Sequence, residues 1–261
     1  MLIDFHTHFF PHNISKETVD KISLAAGVPH HGNGNLDNLL RFMKKDGVSL
    51  SVNLPAATSP AQVKSINRKM VETNAQRFPV ICFGALHPLM PHPEHEIRFL
   101  HENGIKGVKL HPEYQNFYPD DESLEPIYKT CNKYSMIVVF HAGVDLGFKD
   151  VHGTPKRFCK LTRYKNIKFV LAHLGAYRMW DKVEKNLVGK NFYFDISYCN
   201  EMDNDQLKRI IFSHGAEKIL FATDFPWERA EVMVKKVEQL GLDKENKEKI
   251  YYKNAQKLLG L

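Results

Sequence analysis

Residues 137–143 read IVVFHAG, and 137–140 is one of the apolar runs from which the strands are predicted. The stretch begins with four apolar residues, three of them β-branched, as a strand buried on both faces would, and it continues into a histidine. Runs of the same kind recur along the chain and bring the number of predicted strands to eight. The others lie at 2–5, 48–54, 80–86, 107–110, 169–172, 192–196 and 219–222.

Segments with helical periodicity separate these runs, and the gaps are long enough for crossover helices. The clearest segment, 36–46, places Leu39 and Met43 on one face. Strands that alternate with helices predict an α/β fold with a parallel sheet, and at 261 residues a single (β/α)8 TIM barrel spanning 1–261 is expected. The longest gap follows the first strand, so 11–35 is expected to be a rim or lid insertion. Further helices are predicted at 94–103, 205–214 and 244–259.

The composition is that of a globular domain, with 43% hydrophobic and 25% charged residues, which excludes disordered, collagen-like and disulfide-scaffold classes. The net charge is +6, but the basic residues are dispersed, so no nucleic-acid partner is predicted. No run approaches the ~18 apolar residues of a membrane span, and no signal peptide is visible. The four cysteines form no C-x-x-C pair. We therefore expect a cytoplasmic protein with reduced thiols and no membrane partner.

Ionisable side chains stand at the ends of the predicted strands, where the active sites of TIM barrels lie. His6 and His8 end the first strand two residues apart, so in an extended chain both side chains point the same way. Imidazole nitrogens and a carboxylate oxygen are ligands that zinc accepts readily. The sequence therefore predicts a divalent-metal site from five groups on several strands: His6, His8, His141, His173 and Asp224. Lys109 lies on the fourth predicted strand, near the same end.

Each of these residues also has an ordinary structural explanation. His173 alone could be a core histidine bonded to a carbonyl, Asp224 could cap a turn, and Lys109 could extend to the barrel rim. The joint pattern favours metal binding, because buried imidazoles and a carboxylate without partners would be costly. His87 and His111 each precede proline, and turn geometry is enough to account for both.

Several motifs together resemble the amidohydrolase superfamily, in the amidohydrolase-related branch that includes aminocarboxymuconate-semialdehyde decarboxylase. The resemblance covers nearly the whole chain and is specific for the superfamily, although not for a substrate. It implies one divalent metal, zinc, with His6, His8, His141 and Asp224 as ligands and His173 as a catalytic histidine beside the metal. The motifs are IDFHTH at 3–8, GVKLHP at 107–112, FHAG at 140–143, LAHLG at 171–175, FDIS at 194–197, ILFATDFPW at 219–227 and the closing segment 252–261.

Other branches of the superfamily hold two metals bridged by a carboxylated lysine on the fourth strand. The resemblance implies that Lys109 would be this lysine, with both His141 and His173 as ligands. One metal is favoured, because the motifs around His173 and Asp224 resemble the one-metal branch. An ammonium group beside a divalent cation should lose its proton or move away. We therefore expect Lys109 to be neutral or displaced towards a substrate carboxylate, rather than carboxylated.

The expected function is that of a metal-dependent hydrolase acting on a small, anionic amide, ester or lactone. A bound cation makes hydroxide available from water near neutral pH, Asp224 would act as the base, and His173 would hold the water or the oxyanion. Lys109, Tyr177 and Arg178 are candidates for binding a substrate carboxylate. Two alternatives stay open: a metal-dependent decarboxylase of aromatic or muconate-type acids, and a non-catalytic zinc-binding barrel. A homo-oligomer is compatible with each of them.

Overall fold

The computed structural model describes residues 1–76 and 79–261, and every paired strand in them runs parallel to its neighbour. The strands pair in the order β1-β2-β3 and β4-β5-β6-β7-β8-β9. Their bounds are β1 (Ile3–Thr7), β2 (Leu50–Asn53), β3 (Val80–Cys82), β4 (Gly84–Ala85), β5 (Gly107–Leu110), β6 (Ile137–Phe140), β7 (Lys168–Leu171), β8 (Tyr193–Asp195) and β9 (Ile219–Leu220).

Backbone hydrogen bonds join the two groups of strands into a barrel. Phe83 separates β3 from β4, so these two strands together fill the predicted run 80–86. The Phe83 amide donates to the Asn53 carbonyl at 3.0 Å, which ties this break to β2. At the other seam the Phe5 amide donates to the Phe221 carbonyl at 2.9 Å, which links β1 to the end of β9. The predicted (β/α)8 TIM barrel is confirmed.

Helices follow most of the strands, and the predicted ones are present. The helix predicted at 244–259 is broken into α10, a π-helical turn at Lys249–Lys253, and α11, because the Ile250 carbonyl accepts a hydrogen bond from the Phe221 amide at 2.9 Å. The bounds are α1 (Ser15–Ala26), α2 (Leu36–Asp46), α3 (Val63–Ala75), α4 (Pro93–Glu102), α5 (Glu125–Lys133), α6 (Pro155–Cys159), α7 (Trp180–Asn186), α8 (Asn204–His214), α9 (Ala230–Gln239), α10 (Lys244–Glu248) and α11 (Asn254–Leu259).

Alternation along the strands divides the core into a barrel interior and a layer beneath the helices. In β6, Ile137 and Val139 belong to the interior cluster, whereas Val138 and Phe140 pack in the outer one. Lys109 of β5 is in register with Val139. The Lys109 side chain is therefore inside the barrel, as the alternation predicts, and it is almost completely buried.

The segment 11–35 contains α1 and lies beside the loop that follows β9. The His31 amide donates to the Pro226 carbonyl at 2.7 Å, and the Trp227 indole N–H donates to the Ser23 hydroxyl at 3.1 Å. These bonds fix both α1 and the end of the segment to the carboxyl end of the barrel. No helix within the described residues is both long enough and apolar enough to cross a membrane.

Candidate metal centre

Three of the predicted ligands come together where β1 and β9 end. The Oδ1 atom of Asp224 lies 3.0 Å from His8 Nε2 and 3.3 Å from His6 Nε2. One ligand atom from each of these residues lies within 4.8 Å of the other two. Ligands bound at 2.0–2.2 Å around a tetrahedral ion stand roughly 3.3 Å apart, so the spacing suits one zinc-sized cation.

The hydrogen bonds of His6 show that its inward nitrogen has a free electron pair. His6 Nδ1 lies 3.0 Å from Asp195 Oδ2, an acceptor, so the ring proton belongs on Nδ1. Burial, reinforced by Lys109, lowers the pKa of His6 to about 4 and keeps the ring neutral. Nε2 therefore presents a lone pair to the Asp224 carboxylate, an arrangement that a shared cation or proton would stabilise. The donor set fits a divalent metal ion.

Asp195 is an important residue that the sequence analysis quoted only as part of a motif. It is fully buried, and its Oδ1 atom accepts hydrogen bonds from the amides of His173 and Ser197, at 3.2 and 3.0 Å. Burial acts to raise its pKa, but His6, His173 and the hydrogen bond from Ser197 together outweigh burial and hold the pKa below the ordinary range. Asp195 is thus an anion that orients His6 from the side away from the cavity.

The loop that carries Asp224 is held by a second buried carboxyl group. Asp4 accepts hydrogen bonds from the Thr223 hydroxyl at 2.6 Å and the Thr223 amide at 3.0 Å. Burial raises the pKa of Asp4 to about 7. Asp224 itself has a φ of 71°, and His173 has a φ of 57°, both in the left-handed region that non-glycine residues rarely adopt. Backbone strain of this kind is concentrated at functional sites.

His173 and His141 lie next to the three-residue group. His173 Nδ1 lies 3.0 Å from the Ser197 carbonyl, so the ring donates there and turns Nε2 inward. This Nε2 atom is 3.2 Å from His141 Nδ1, and the His173 ring stacks on His6 with centroids 5.5 Å apart. The structure therefore brings five predicted residues into one neighbourhood, with His141 at its edge rather than within the 4.8 Å group.

His141 belongs to a second group that the sequence analysis missed. The His111 ring stacks on His141 at 4.3 Å between centroids, and His111 Nε2 lies 3.3 Å from Asp145 Oδ2. The turn explanation of His111 is therefore incomplete, because the side chain lies in the wall of the site. The sequence did indicate this group, because three residues of the kinds that bind metals follow β5 and β6: His111, Glu113 and Asp145.

Glu113 lies behind the two stacked rings. Its Oε1 atom accepts hydrogen bonds from the amides of His152 and Gly153, at 3.0 and 3.1 Å. Its Oε2 atom is 3.7 Å from His111 Nδ1 and 3.9 Å from His141 Nε2. Within the described part of the chain, neither this oxygen nor His141 Nε2 has a hydrogen-bond partner. Burial raises the pKa of Glu113 to about 7.

Lys109 contacts the three-residue group directly. Its Nζ atom lies 3.1 Å from His6 Nε2. Burial lowers the pKa of Lys109 to about 8, against the opposing attraction of Asp195 and Asp224. The amine can therefore lose its proton at a modest cost, which is the property expected of a lysine beside a cation.

The two remaining candidates differ in their placement. Tyr177 lines the cavity, with its ring 5.9 Å from His173. Arg178 instead makes two hydrogen bonds to the Glu201 carboxylate, at 2.8 and 2.9 Å, and is about half exposed. The structure does not bring Arg178 to the site, because its guanidinium is committed to an outward ion pair.

A cavity of about 800 Å³ opens above the group and gives it access from outside. Aromatic side chains line the cavity near the ligands, and α1 and α3 contribute both apolar and polar side chains. The aromatic residues near the ligands are Tyr114, Tyr177, Tyr198 and Trp227. This volume lies within the range of pockets that bind small organic molecules, ~300–1,000 Å³.

The chain belongs to the amidohydrolase family, since residues 3–261 match the family described as Amidohydrolase. It is accordingly an enzyme of the amidohydrolase superfamily. No curated protein matches the sequence.

Solved structures resemble this fold along the whole chain. The 5-carboxyvanillate decarboxylase of Sphingomonas paucimobilis is 15% identical, with a TM-score of 0.73 over 100% of this chain and 99% of that one. A dihydroxybenzoic acid decarboxylase from Polaromonas, with bound manganese and the inhibitor 2-nitroresorcinol, is 18% identical, with a TM-score of 0.73 over 100% and 97%. An uncharacterized TIM-barrel protein of Bordetella bronchiseptica is 17% identical, with a TM-score of 0.78 over 99% and 98%. These similarities establish the fold.

Proposed function

We propose that this protein is a metal-dependent decarboxylase that releases carbon dioxide from an aromatic or similarly conjugated carboxylic acid. One observation carries the proposal: the His6–His8–Asp224 group opens into a cavity whose nearby walls are aromatic. Two structures similar in fold over the whole chain are decarboxylases of aromatic acids, and one of them contains manganese. Decarboxylation, an alternative in the sequence analysis, therefore replaces the hydrolysis that was expected there.

In this proposal His6, His8 and Asp224 hold one divalent cation, and His141 is the fourth member of the set implied by the sequence. Zinc or manganese would suit these donors. When bound, the ion supplies positive charge that binds a substrate oxygen and stabilises the negative charge that develops during reaction. The chain supplies everything else, namely orientation, exclusion of water and the movement of the proton.

Substrate binding follows from the cavity wall. Lys109 lies deep in the cavity, and its amine, when protonated and turned from His6 towards the substrate, pairs with the substrate carboxylate. Tyr177 and Trp227 offer ring faces and edges between which a flat substrate can lie. Arg178 has no part in this proposal.

Decarboxylation needs a proton for the carbon that loses carbon dioxide, and Asp224 is placed to supply it. Burial acts to raise the pKa of Asp224, but His6, His8 and His173 together outweigh burial and hold the pKa well below its usual range. The carboxylate must therefore first take a proton, from an acidic substrate hydroxyl or from water. It then gives that proton to the ring carbon as the bond to the carboxylate breaks and carbon dioxide leaves. Because the ring proton of His173 is on Nδ1, its Nε2 atom can accept a hydrogen bond from a substrate hydroxyl group that keeps its proton.

Hydrolysis is the second candidate, and the ionised state of Asp224 favours it. An ionised carboxylate beside the cation site can act as a base toward water without a prior protonation step. Both reactions use the same ligands, so the products distinguish them. A decarboxylase yields one carbon dioxide and a product without that carboxyl group, whereas a hydrolase yields two fragments or an opened ring.

We also propose that 1–261 acts as one domain and that 11–35 forms the rim of its cavity. Thr18 and Ile22 of α1 line the cavity, and the Trp227–Ser23 hydrogen bond fixes α1 above the site. A fragment without 11–35 should keep the cation site but lose affinity for the substrate.

The test is to assay the metal-loaded protein against hydroxylated benzoic acids and, in parallel, against lactones and esters. The variant Asp224→Asn should lose at least ~10²-fold in turnover, because the amide neither takes up the proton nor binds the ion as well. Asp150→Asn, on an exposed loop, is the matched control and should behave like the wild type. Normal decarboxylation by Asp224→Asn would remove this residue from the mechanism.

A further inference from the structure

The cavity also runs along two helices at the barrel mouth. From α1 and the residue before it, the lining side chains are Ile14, Thr18, Ile22 and Ala26, spaced four residues apart and therefore on one face. Further lining residues come from α3 and the residues next to its two ends: Gln62, Ser65, Ile66, Lys69, Met70, Thr73 and Gln76. We call this part of the cavity, lined by these eleven residues, the trough.

The trough is long. Twelve residues separate Ile14 from Ala26, and at ~1.5 Å per helical residue they extend about 18 Å. The eleven residues from Gln62 to Thr73 extend roughly 16 Å by the same measure. A cavity lined along these lengths is elongated, and a ligand with a single ring would leave much of it unfilled.

The middle of the trough is apolar. Ile22 and Ile66 are half-buried there, and Met70 is buried. Two charged lining residues, Asp37 and Lys69, are exposed, and Lys69 is 3.4 Å from Glu72. The isoleucine and methionine side chains can bury a hydrocarbon chain.

We propose that the trough holds the long apolar tail of the substrate, so that the substrate class is an aromatic or conjugated carboxylic acid that carries an extended alkyl chain. The trough and the His6–His8–Asp224 group share one cavity of about 800 Å³, and this continuity points to one ligand rather than to a protein partner. The volume lies in the upper part of the ~300–1,000 Å³ that small-molecule pockets occupy. That the substrate has a carboxylate head rests on the proposed function, whereas the apolar tail is inferred from the trough alone.

Calorimetry with straight-chain acids tests this inference without requiring turnover. Hexanoate, octanoate, decanoate and dodecanoate are titrated, below their micelle concentrations, into the metal-loaded protein. Each added methylene buried in the trough should tighten binding about threefold to fourfold, so each step in the series should gain roughly tenfold. Ile22→Asp and Ile66→Asp should flatten this series, because a charge then lies against the chain.

Matched variants separate the trough from the outer surface of α1. Leu24 is 85% exposed on the same helix and is not a lining residue, so Leu24→Asp should keep the full series. Ala26→Trp fills part of the trough and should reduce the gain in affinity along the series. Thermal unfolding of every variant verifies that it folds.

Two results would overturn the inference: an affinity that does not change with chain length, or a series that Leu24→Asp flattens as much as Ile22→Asp. Failure of the proposed function has a different signature. In that case the series and its sensitivity to Ile22→Asp would persist, yet no acid would release carbon dioxide. If single-ring acids are turned over but affinity does not rise with chain length, the proposed function stands and the trough has no role in substrate binding.

Discussion

Replacing Asp195 with asparagine should weaken metal binding although Asp195 is not itself a ligand. Oδ1 of Asp195 accepts hydrogen bonds from two backbone amides, of His173 and Ser197, so the carbonyl oxygen of asparagine must occupy that position. The amide nitrogen then takes the place of Oδ2, which lies 3.0 Å from His6 Nδ1. Two donors would face each other, and His6 would move its proton to Nε2, the atom aimed at Asp224.

The expected magnitude follows from losing one correctly oriented ligand. Removing a carboxylate that orients a metal-binding histidine costs about tenfold to hundredfold in metal affinity. Leaving the buried donor unsatisfied costs about 1–3 kcal/mol in the free energy of unfolding. The assay is competition with a chelator of known affinity for zinc, with denaturant unfolding measured in parallel.

A matched control separates orientation from general damage. Glu201→Gln alters a partly exposed carboxylate in the neighbouring loop, where it pairs with Arg178, and should leave metal affinity unchanged. Histidine ¹⁵N spectra of the metal-free protein report the His6 tautomer directly. If a folded Asp195→Asn protein binds metal as tightly as the wild type, Asp195 does not orient His6 for metal binding.

Three further results are expected. Burial lowers the pKa of His214 to about 4, so the folded protein keeps this imidazole neutral. Between pH 6.5 and 4 the unfolded chain takes up a proton that the folded protein does not, so the free energy of unfolding should fall by up to roughly 3 kcal/mol as the pH drops toward 4. In His214→Gln the free energy of unfolding, measured with urea across this range, should depend less steeply on pH than in the wild type. An identical dependence on pH would contradict the assignment. Lys109→Ala should retain about one metal ion per chain by elemental analysis, whereas a fall from two ions to one would reveal a bridging carboxylated lysine. Arg178→Gln should change the free energy of unfolding by less than ~1 kcal/mol and leave substrate affinity unchanged, whereas weaker binding of acids would restore its predicted role.

The barrel and the main site residues could be predicted because they depend on local pattern. A buried parallel strand is apolar throughout, and the carboxyl ends of such strands meet at one face. His6, His8, His173 and Asp224 could therefore be assigned to one site before any distance was known. The alternation in β5 likewise placed Lys109 inside the barrel.

Other features depend on contacts between distant residues, which periodicity does not specify. Asp195 meets His6 across 189 positions of sequence, and Glu201 pairs with Arg178 only because two loops lie side by side. The break in the last helix follows from the bond between the Phe221 amide and Ile250. The contact between His111 and His141 depends on how the two loops that carry them run, and the periodicity of the sequence does not specify this.

The measurement that tests the account most directly is the rate of carbon dioxide release as metal is titrated into the stripped protein. With a hydroxylated aromatic acid as substrate, the rate should rise from zero and level off at about one ion per chain. Each carbon dioxide should be matched by one product molecule lacking the carboxyl group, and Asp224→Asn should abolish the rise. Carbon dioxide release by the stripped protein, or hydrolysis of a lactone or ester by a metal-replete protein that releases none, would contradict the account.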